Sequence, residues 1–196
     1  MQISHQHKFI CIGIPRNGSK SMFEWLHTNY QSEYFMGHHA YQIPKEYKDY
    51  FVFTLVRNPY ERTVSGWFFE PVIKGDDWVA PPNSLKKRMK LAAKAGYTRQ
   101  IDFVREGGVD MILYFERLTE CLKHLPFVDP DHLPPFPHNN LGGFRPAEGN
   151  FFDFFNKEEE KLVWENDKEE FDFFGYQRFN CGLPEELPDF RLLSQP

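Results

Sequence analysis

Short, unbroken apolar runs alternate along this chain with longer stretches in which apolar residues recur at helical spacing. Residues 8–14 form the first run, with Phe9, Ile10, Cys11, Ile12 and Ile14 bounded by Pro15 and Gly18, the pattern of a strand buried on both faces. Ser19–Tyr30 follows with Met22, Phe23, Trp25 and Leu26 on one stripe, which predicts an amphipathic helix. A short strand is predicted over 33–36, and Phe51–Val56 is the second strong buried-strand signal. Asn58-Pro59-Tyr60-Glu61 then combines an N-cap, a proline at the first helical position and an acid three residues past the cap, so a helix is predicted to about residue 69. Helices are predicted over 84–95, 98–106 and 117–125, and a third strand over 110–115. Asn156 with Glu159 forms a capping pair for a last helix to Phe174, ended by Gly175. The segments 71–83 and 126–150 are rich in proline and glycine and read as loops, the second long enough to be functional or mobile. Strands alternating with helices predict an α/β three-layer sandwich with a mainly parallel central sheet.

The chain has 196 residues and shows no repeat and no linker, which predicts a single domain over 1–182 and a poorly ordered tail over 183–196. His5 and His7 are expected in a frayed end. With 23 Lys and Arg against 28 Asp and Glu, the net charge of −5 excludes the overall basic footprint of a nucleic-acid-coating protein, so any anion site must be local. No apolar run approaches the roughly 20 residues of a transmembrane helix, and residues 9–14 are too short for a signal core, so a cytoplasmic chain with no membrane partner is expected. Cys11, Cys121 and Cys181 lie far apart without a C-x-x-C pair, as reduced thiols do, and no His or Cys spacing suggests a metal site.

The turn after the first strand reads Gly13-Ile14-Pro15-Arg16-Asn17-Gly18-Ser19-Lys20-Ser21, close to a phosphate-binding P-loop. In the nucleotide-hydrolysing form a lysine follows the second glycine at once, and here Ser19 holds that slot. What remains is a backbone turn opening a helix N-terminus, with Arg16, Asn17, Ser19, Lys20 and Ser21 as further donors to an anion. Arg57 sits at the C-terminal edge of the second strand, where ligands of open α/β sheets bind, and Ser65 follows about 9 Å along the next helix. A guanidinium fork and a hydroxyl suit a terminal phosphate.

Together the two loops resemble the sulfotransferases that use 3′-phosphoadenosine 5′-phosphosulfate (PAPS), in particular the carbohydrate-type family. The family's 5′-phosphosulfate loop, P-K-T-G-S/T-T/S-S, is similar to Pro15-Arg16-Asn17-Gly18-Ser19-Lys20-Ser21. Its 3′-phosphate motif, V-R-N-P-Y-x-R-x-x-S, is matched by Val56-Arg57-Asn58-Pro59-Tyr60-Glu61-Arg62-Thr63-Val64-Ser65. Further echoes are Tyr114-Phe115-Glu116-Arg117-Leu118, Pro137-His138-Asn139 and Phe171-Asp172-Phe173-Phe174-Gly175-Tyr176. The usual loop lysine is Arg16 here, as in tyrosylprotein sulfotransferases, and Lys20 replaces a small hydroxyl residue.

The resemblance implies a P-loop NTPase-like sulfotransferase fold and transfer of a sulfonate from PAPS to a hydroxyl on a small molecule or saccharide. The product would be adenosine 3′,5′-bisphosphate, with no metal required. It implies that Arg16, Asn17, Gly18, Ser19, Lys20 and Ser21 hold the 5′ end of the donor and that Arg57 and Ser65 hold its 3′-phosphate; apart from the resemblance, Arg145 in the 126–150 loop is a candidate for a further phosphate contact. Arg16 and Lys20 would stabilise the leaving phosphate. For the base, His39 in Gly37-His38-His39-Ala40 lies in the segment where related glycan enzymes carry a catalytic histidine; His38 and then Glu24 follow as candidates. Two other readings stand beside this one: a P-loop nucleotide or small-molecule kinase, disfavoured by Ser19 and Arg57, and a nucleotide-binding relative without turnover.

Overall fold

The computed structural model describes residues 1–74, 99–137, 154–178 and 190–193. The chain groups into two compact units that interleave in sequence: Met1–Arg57 with Gln100–Asn140 and Pro188–Pro196, and Asn58–Arg99 with Leu141–Leu187. The first unit carries a six-stranded sheet in the order β3-β1-β2-β4-β5-β6. Its strands are β1 (Gln2–Ser4), β2 (Phe9–Ile12), β3 (Glu33–Tyr34), β4 (Phe51–Val56), β5 (Met111–Tyr114) and β6 (Phe190–Leu192). The fold is α/β as the sequence predicts, and five helices occur among the described residues.

The sheet is mixed rather than mainly parallel. β2, β4 and β5 run parallel at its centre, while β1 and β3 on one side and β6 on the other are antiparallel to their neighbours. The strands missed by the sequence reading carry no clean pattern. In β1 the polar Gln2 and Ser4 are buried, because Gln2 Nε2 donates to Ser32 Oγ at 3.0 Å and Ser4 Oγ donates to the Tyr30 carbonyl at 2.9 Å. His5 and His7 consequently lie not in a frayed end but in the turn of the β1–β2 hairpin, where His5 Nδ1 meets Tyr50 Oη at 2.9 Å. β6 falls within the tail expected to be poorly ordered. It pairs with β5 from Leu113↔Phe190 to Met111↔Leu192, and the Phe190 ring lies 4.2 Å from that of His124.

Within the first unit, β2 and β5 each lead into a helix. Helix α1 (Ser19–Tyr30) follows β2 and buries Met22, Phe23, Trp25, Leu26 and Tyr30. Phe127 stacks on Phe9 at 4.1 Å and meets Tyr30 at 5.2 Å, and Trp25 Nε1 donates to the Pro134 carbonyl at 3.1 Å. Phe127, Val128 and Pro134 of the 126–150 connection therefore rest on the core, while residues 129–132 between them are exposed. Helix α3 (Gln100–Glu106) precedes β5, and the short α4 (Leu118–Leu122) follows it through a 3-10 turn at Phe115–Arg117. Cys11 and Cys121 are buried free thiols, and burial pushes the Cys11 thiol up to about 12.

The second unit contains α2 (Pro59–Lys74) and α5 (Lys157–Phe174). α2 continues past the predicted end near residue 69 and through Pro71, whose fixed φ is helical and whose missing N–H removes one ladder bond. Asn58 Oδ1 accepts from the Tyr60 amide at 2.9 Å, as an N-cap does. The Tyr60 hydroxyl donates to the buried Glu160 on α5, which also takes two bonds from Arg178 at 3.0 and 3.1 Å. α5 opens with the predicted capping box between Asn156 and Glu159 and closes at Gly175 in the left-handed region, φ 78°. The predicted helix at 84–95 lies outside the described residues, as does Cys181.

One polar contact ties the first unit's loops together. Asn17, fully buried between β2 and α1, donates through Nδ2 to the Leu55 carbonyl of β4 at 2.8 Å and to Gln100 Oε1 at 2.6 Å. Gln100, at the start of α3, takes the Arg57 amide on the same oxygen at 2.9 Å and donates through Nε2 to the Arg57 carbonyl, also at 2.9 Å. Removing the side chain at the centre of this clamp leaves buried acceptors behind. Asn17→Ala is expected to lower stability by roughly 2–3 kcal/mol, two buried hydrogen bonds' worth, seen as a lower urea midpoint at unchanged slope.

Candidate active site

The clamp sets two loops beside one another at the C-terminal ends of the adjacent parallel strands β2 and β4. The first is the turn from Gly13 to Ser21. Gly18 caps α1 at φ 78°, and a Cβ there would come within 2.7 Å of Phe115 Cε2, so the turn needs glycine for its backbone angle and for its closeness to that ring. Arg16 also sits in the left-handed region, at φ 71°, a conformation that costs a non-glycine residue about 1–3 kcal/mol and is held here by the clamp on its neighbour. The first-turn amides of α1 are the ones without an intrahelical acceptor, and the helix dipole places positive potential beside them. Ser19 and Ser21 are buried in this turn, whereas Lys20 is exposed at its rim.

The second loop contributes Arg57. Its guanidinium lies over the Phe115 ring, 4.3 Å from the centroid, and donates through Nη1 to the Arg16 carbonyl at 3.3 Å. The ring fixes the plane of the guanidinium and shields one face from water. Two cationic side chains, Arg16 and Arg57, thus belong to neighbouring backbone segments with an anion-favouring helix end between them.

A third segment, 37–40, leans on the same turn. The His39 ring donates from Nδ1 to the Gly13 carbonyl at 2.7 Å, since a carbonyl can only accept. In the neutral ring that bond makes Nε2 the basic nitrogen, on a side chain that is exposed. His38 is held differently. Its Nε2 lies 3.0 Å from Ser19 Oγ, and burial, together with the charges of His39 and Lys20, lowers its pKa to about 4. At Gly13 a Cβ would sit 2.6 Å from the His38 carbonyl oxygen and 2.6 Å from Phe23 Cζ, so the histidine segment and the turn meet backbone to backbone.

Of the residues singled out from the sequence, Arg16, Asn17, Gly18, Ser19, Lys20, Ser21, Arg57, His38 and His39 all lie in the first unit around these loops. Asn17 is turned inward and acts as the clamp. Ser65 lies on α2 in the second unit, and Glu24 is exposed on α1. Arg145, His138 and Asn139 lie outside the described residues. The sequence reading missed Gln100 and Phe115. Gln100 is a single polar residue at a helix start with no motif around it. Phe115 enters the sequence reading as the last residue of the third strand and within the Tyr114–Leu118 echo, with no role that can be read without its neighbours.

Among the described residues, no group of three or more His, Cys, Asp or Glu side chains could hold a metal ion, and no helix is long and apolar enough to cross a membrane. No curated protein and no solved structure matches the chain significantly. The model of the sulfotransferase family matches residues 1–127, which takes in the turn after β2, the histidine segment, Arg57 and Ser65. That match covers 127 of 196 residues and coincides with the loops that the sheet brings together, and the chain belongs to the sulfotransferase family.

Proposed function

We propose that this protein transfers a sulfonate group from PAPS to a hydroxyl acceptor on a small molecule or a saccharide. The observation that carries the reading is the Arg57 guanidinium fixed against the Arg16 carbonyl, which puts a second cation beside the anion-binding turn. A nucleotide with anionic groups at both its 5′ and 3′ positions uses both; one with a 5′ chain alone uses only the turn. The donor set suits such a ligand: backbone amides at a helix end, a glycine that leaves room for close approach, and Arg16, Lys20 and Arg57 as charge partners.

When bound, PAPS supplies a sulfonate whose bond to the 5′-phosphate oxygen breaks as the acceptor oxygen bonds to sulfur. Arg16, with the amides of residues 18–21, holds the 5′-phosphate and stabilises the charge that grows on it, an electrostatic task already organised in the turn. Lys20, exposed at the rim, adds a charge on the acceptor side. Arg57 binds the 3′-phosphate, assisted by Ser65 on the strength of the shared sequence motif alone, and Arg145, a cation of the 126–150 loop, is proposed as a further phosphate contact. His39 is the base: the bond from Nδ1 to the Gly13 carbonyl orients the ring and makes Nε2 the basic nitrogen for the acceptor's proton.

Adenosine 3′,5′-bisphosphate at a hundredfold excess over its dissociation constant should stabilise the protein by about 2.7 kcal/mol, and ATP with magnesium by much less. Arg57→Ala should remove most of that preference, at a cost of about 2 kcal/mol or more in bisphosphate binding. Differential scanning fluorimetry with both nucleotides reads this, and a preference that survives the substitution excludes Arg57 from 3′-phosphate recognition.

His39→Ala should lower turnover by about 10²–10⁴ while bisphosphate binding stays nearly unchanged, because a base meets the acceptor and not the nucleotide. Single-turnover transfer of labelled sulfonate from PAPS, beside calorimetric titration with the bisphosphate, separates the two. Equal loss in both assays would make His39 a support of the donor turn instead.

A further inference from the structure

The two neighbouring histidines are held in opposite ways. His39 is exposed and directs Nδ1 to a backbone carbonyl, whereas His38 is half-buried and directs Nε2 to the hydroxyl of Ser19 at 3.0 Å. The His38 ring is packed against Phe23 at 4.8 Å, His39 at 4.6 Å and Tyr34 at 6.0 Å, and its carbonyl oxygen occupies the space a side chain at Gly13 would need. These contacts leave the imidazole little freedom to turn toward an incoming acceptor. We infer that His38 is a positioning residue of the donor turn: through Nε2 it fixes the Ser19 hydroxyl so that the serine's single proton is directed at the anion bound there. The inference rests on the donor-binding reading above.

The argument is one of hydrogen-bond capacity. A serine hydroxyl has one proton to donate and two lone pairs, and a neutral imidazole has one donor and one acceptor nitrogen. If Ser19 donates to His38, it can only accept from its other neighbours and would repel a phosphate oxygen. If Nε2 carries the proton, Ser19 accepts from the ring and its own proton is free for the ligand. An anion on the turn therefore selects the Nε2–H tautomer of His38, and the two residues bind it as a unit. Burial and the neighbouring positive charges keep the ring neutral above about pH 4, so the proton can move between its nitrogens across the working range. The same engagement of Nε2 removes His38 from the competition for the role of base and leaves that role to His39. Ser19 stands where a nucleotide-hydrolysing P-loop has its lysine, so the pair replaces a mobile charge with an oriented neutral donor.

A double-mutant cycle on adenosine 3′,5′-bisphosphate binding, read by titration calorimetry, tests this. Ser19→Ala and His38→Ala should each weaken binding about 10-fold, near the lower end for a hydrogen bond to a charged group, and the double variant should also lose about 10-fold rather than 100-fold. His38→Gln can still donate to Ser19 but cannot act as a base, so its affinity should return to within about 3-fold of the parent, the limit of what a cycle resolves. In steady-state transfer, His38→Ala should raise the KM for PAPS with kcat at saturating donor little changed, and His38→Gln should turn over normally. If His38→Ala fails to fold, His38→Phe, which keeps a ring in the same space without a donor, takes its place in the cycle and should likewise lose about 10-fold alone and about 10-fold together with Ser19→Ala. Additive losses in the cycle, or a His38→Gln variant as inactive in transfer as His39→Ala, would overturn the inference while leaving donor binding intact. A parent protein that binds no bisphosphate would overturn both.

Discussion

The side-chain amide of Gln100 closes the ends of two parallel strands at once, and the geometry of the site depends on it. Its oxygen takes the Asn17 amide from the turn after β2 and the backbone amide of Arg57 from the end of β4, while its nitrogen returns a bond to the Arg57 carbonyl. Each of these groups would be costly to bury alone, because an unpaired amide away from water loses its full solvation. Paired together, they hold the two loops side by side. Arg16 can hold a left-handed backbone angle because the residue after it is anchored on both sides. Phe115 then fills the space that Gly18 leaves and supports the guanidinium of Arg57. The clamp itself touches no ligand in the proposed reaction; it sets where the ligand-binding groups stand.

From that constraint the charge pattern of the site follows. The protein as a whole is acidic, at −5, yet Arg16, Lys20 and Arg57 gather at one edge of the sheet beside a helix N-terminus. A local positive site on an acidic chain favours a compact ligand with several anionic groups over a long polyanion, which would meet the repulsion of the remaining surface. In the proposed reaction the histidine segment adds the remaining chemistry. Its two rings share one turn but differ in burial and in which nitrogen is tied down, and on the proposed reading one receives a proton and the other aims a hydroxyl.

Much of this was legible in the sequence where the pattern was local. The run Phe51–Val56, the helix Ser19–Tyr30 and the capping box at Asn156 each carry their own signal, and the structure places them with the predicted limits. The turn after β2 and the segment from Arg57 stood out as motifs because their spacing around a strand end is itself the signal. What escaped the reading depends on partners distant in sequence. β1 contains Gln2 and Ser4, polar residues that look exposed until Ser32 and the Tyr30 carbonyl are found beside them. β6 is three residues long and is defined by its pairing with β5, so the parallel sheet expected from the strand–helix alternation became a mixed one. Gln100 and Phe115 are separated from the turn by more than 80 residues, and only the folded sheet brings them to it. Asn17, expected to face a ligand, faces the clamp, since its amide finds two buried acceptors on the inner side.

The most direct test of the central claim, that the two clamped loops form one site for a nucleotide with anionic groups at both ends, is a crystal structure with adenosine 3′,5′-bisphosphate. The 5′-phosphate should lie within hydrogen-bonding distance of the turn amides and of Arg16, and the 3′-phosphate should take the Arg57 guanidinium while its backbone stays bound to Gln100. A nucleotide seated elsewhere, or one that leaves Arg57 in contact with the Arg16 carbonyl and away from the 3′-phosphate, would contradict it.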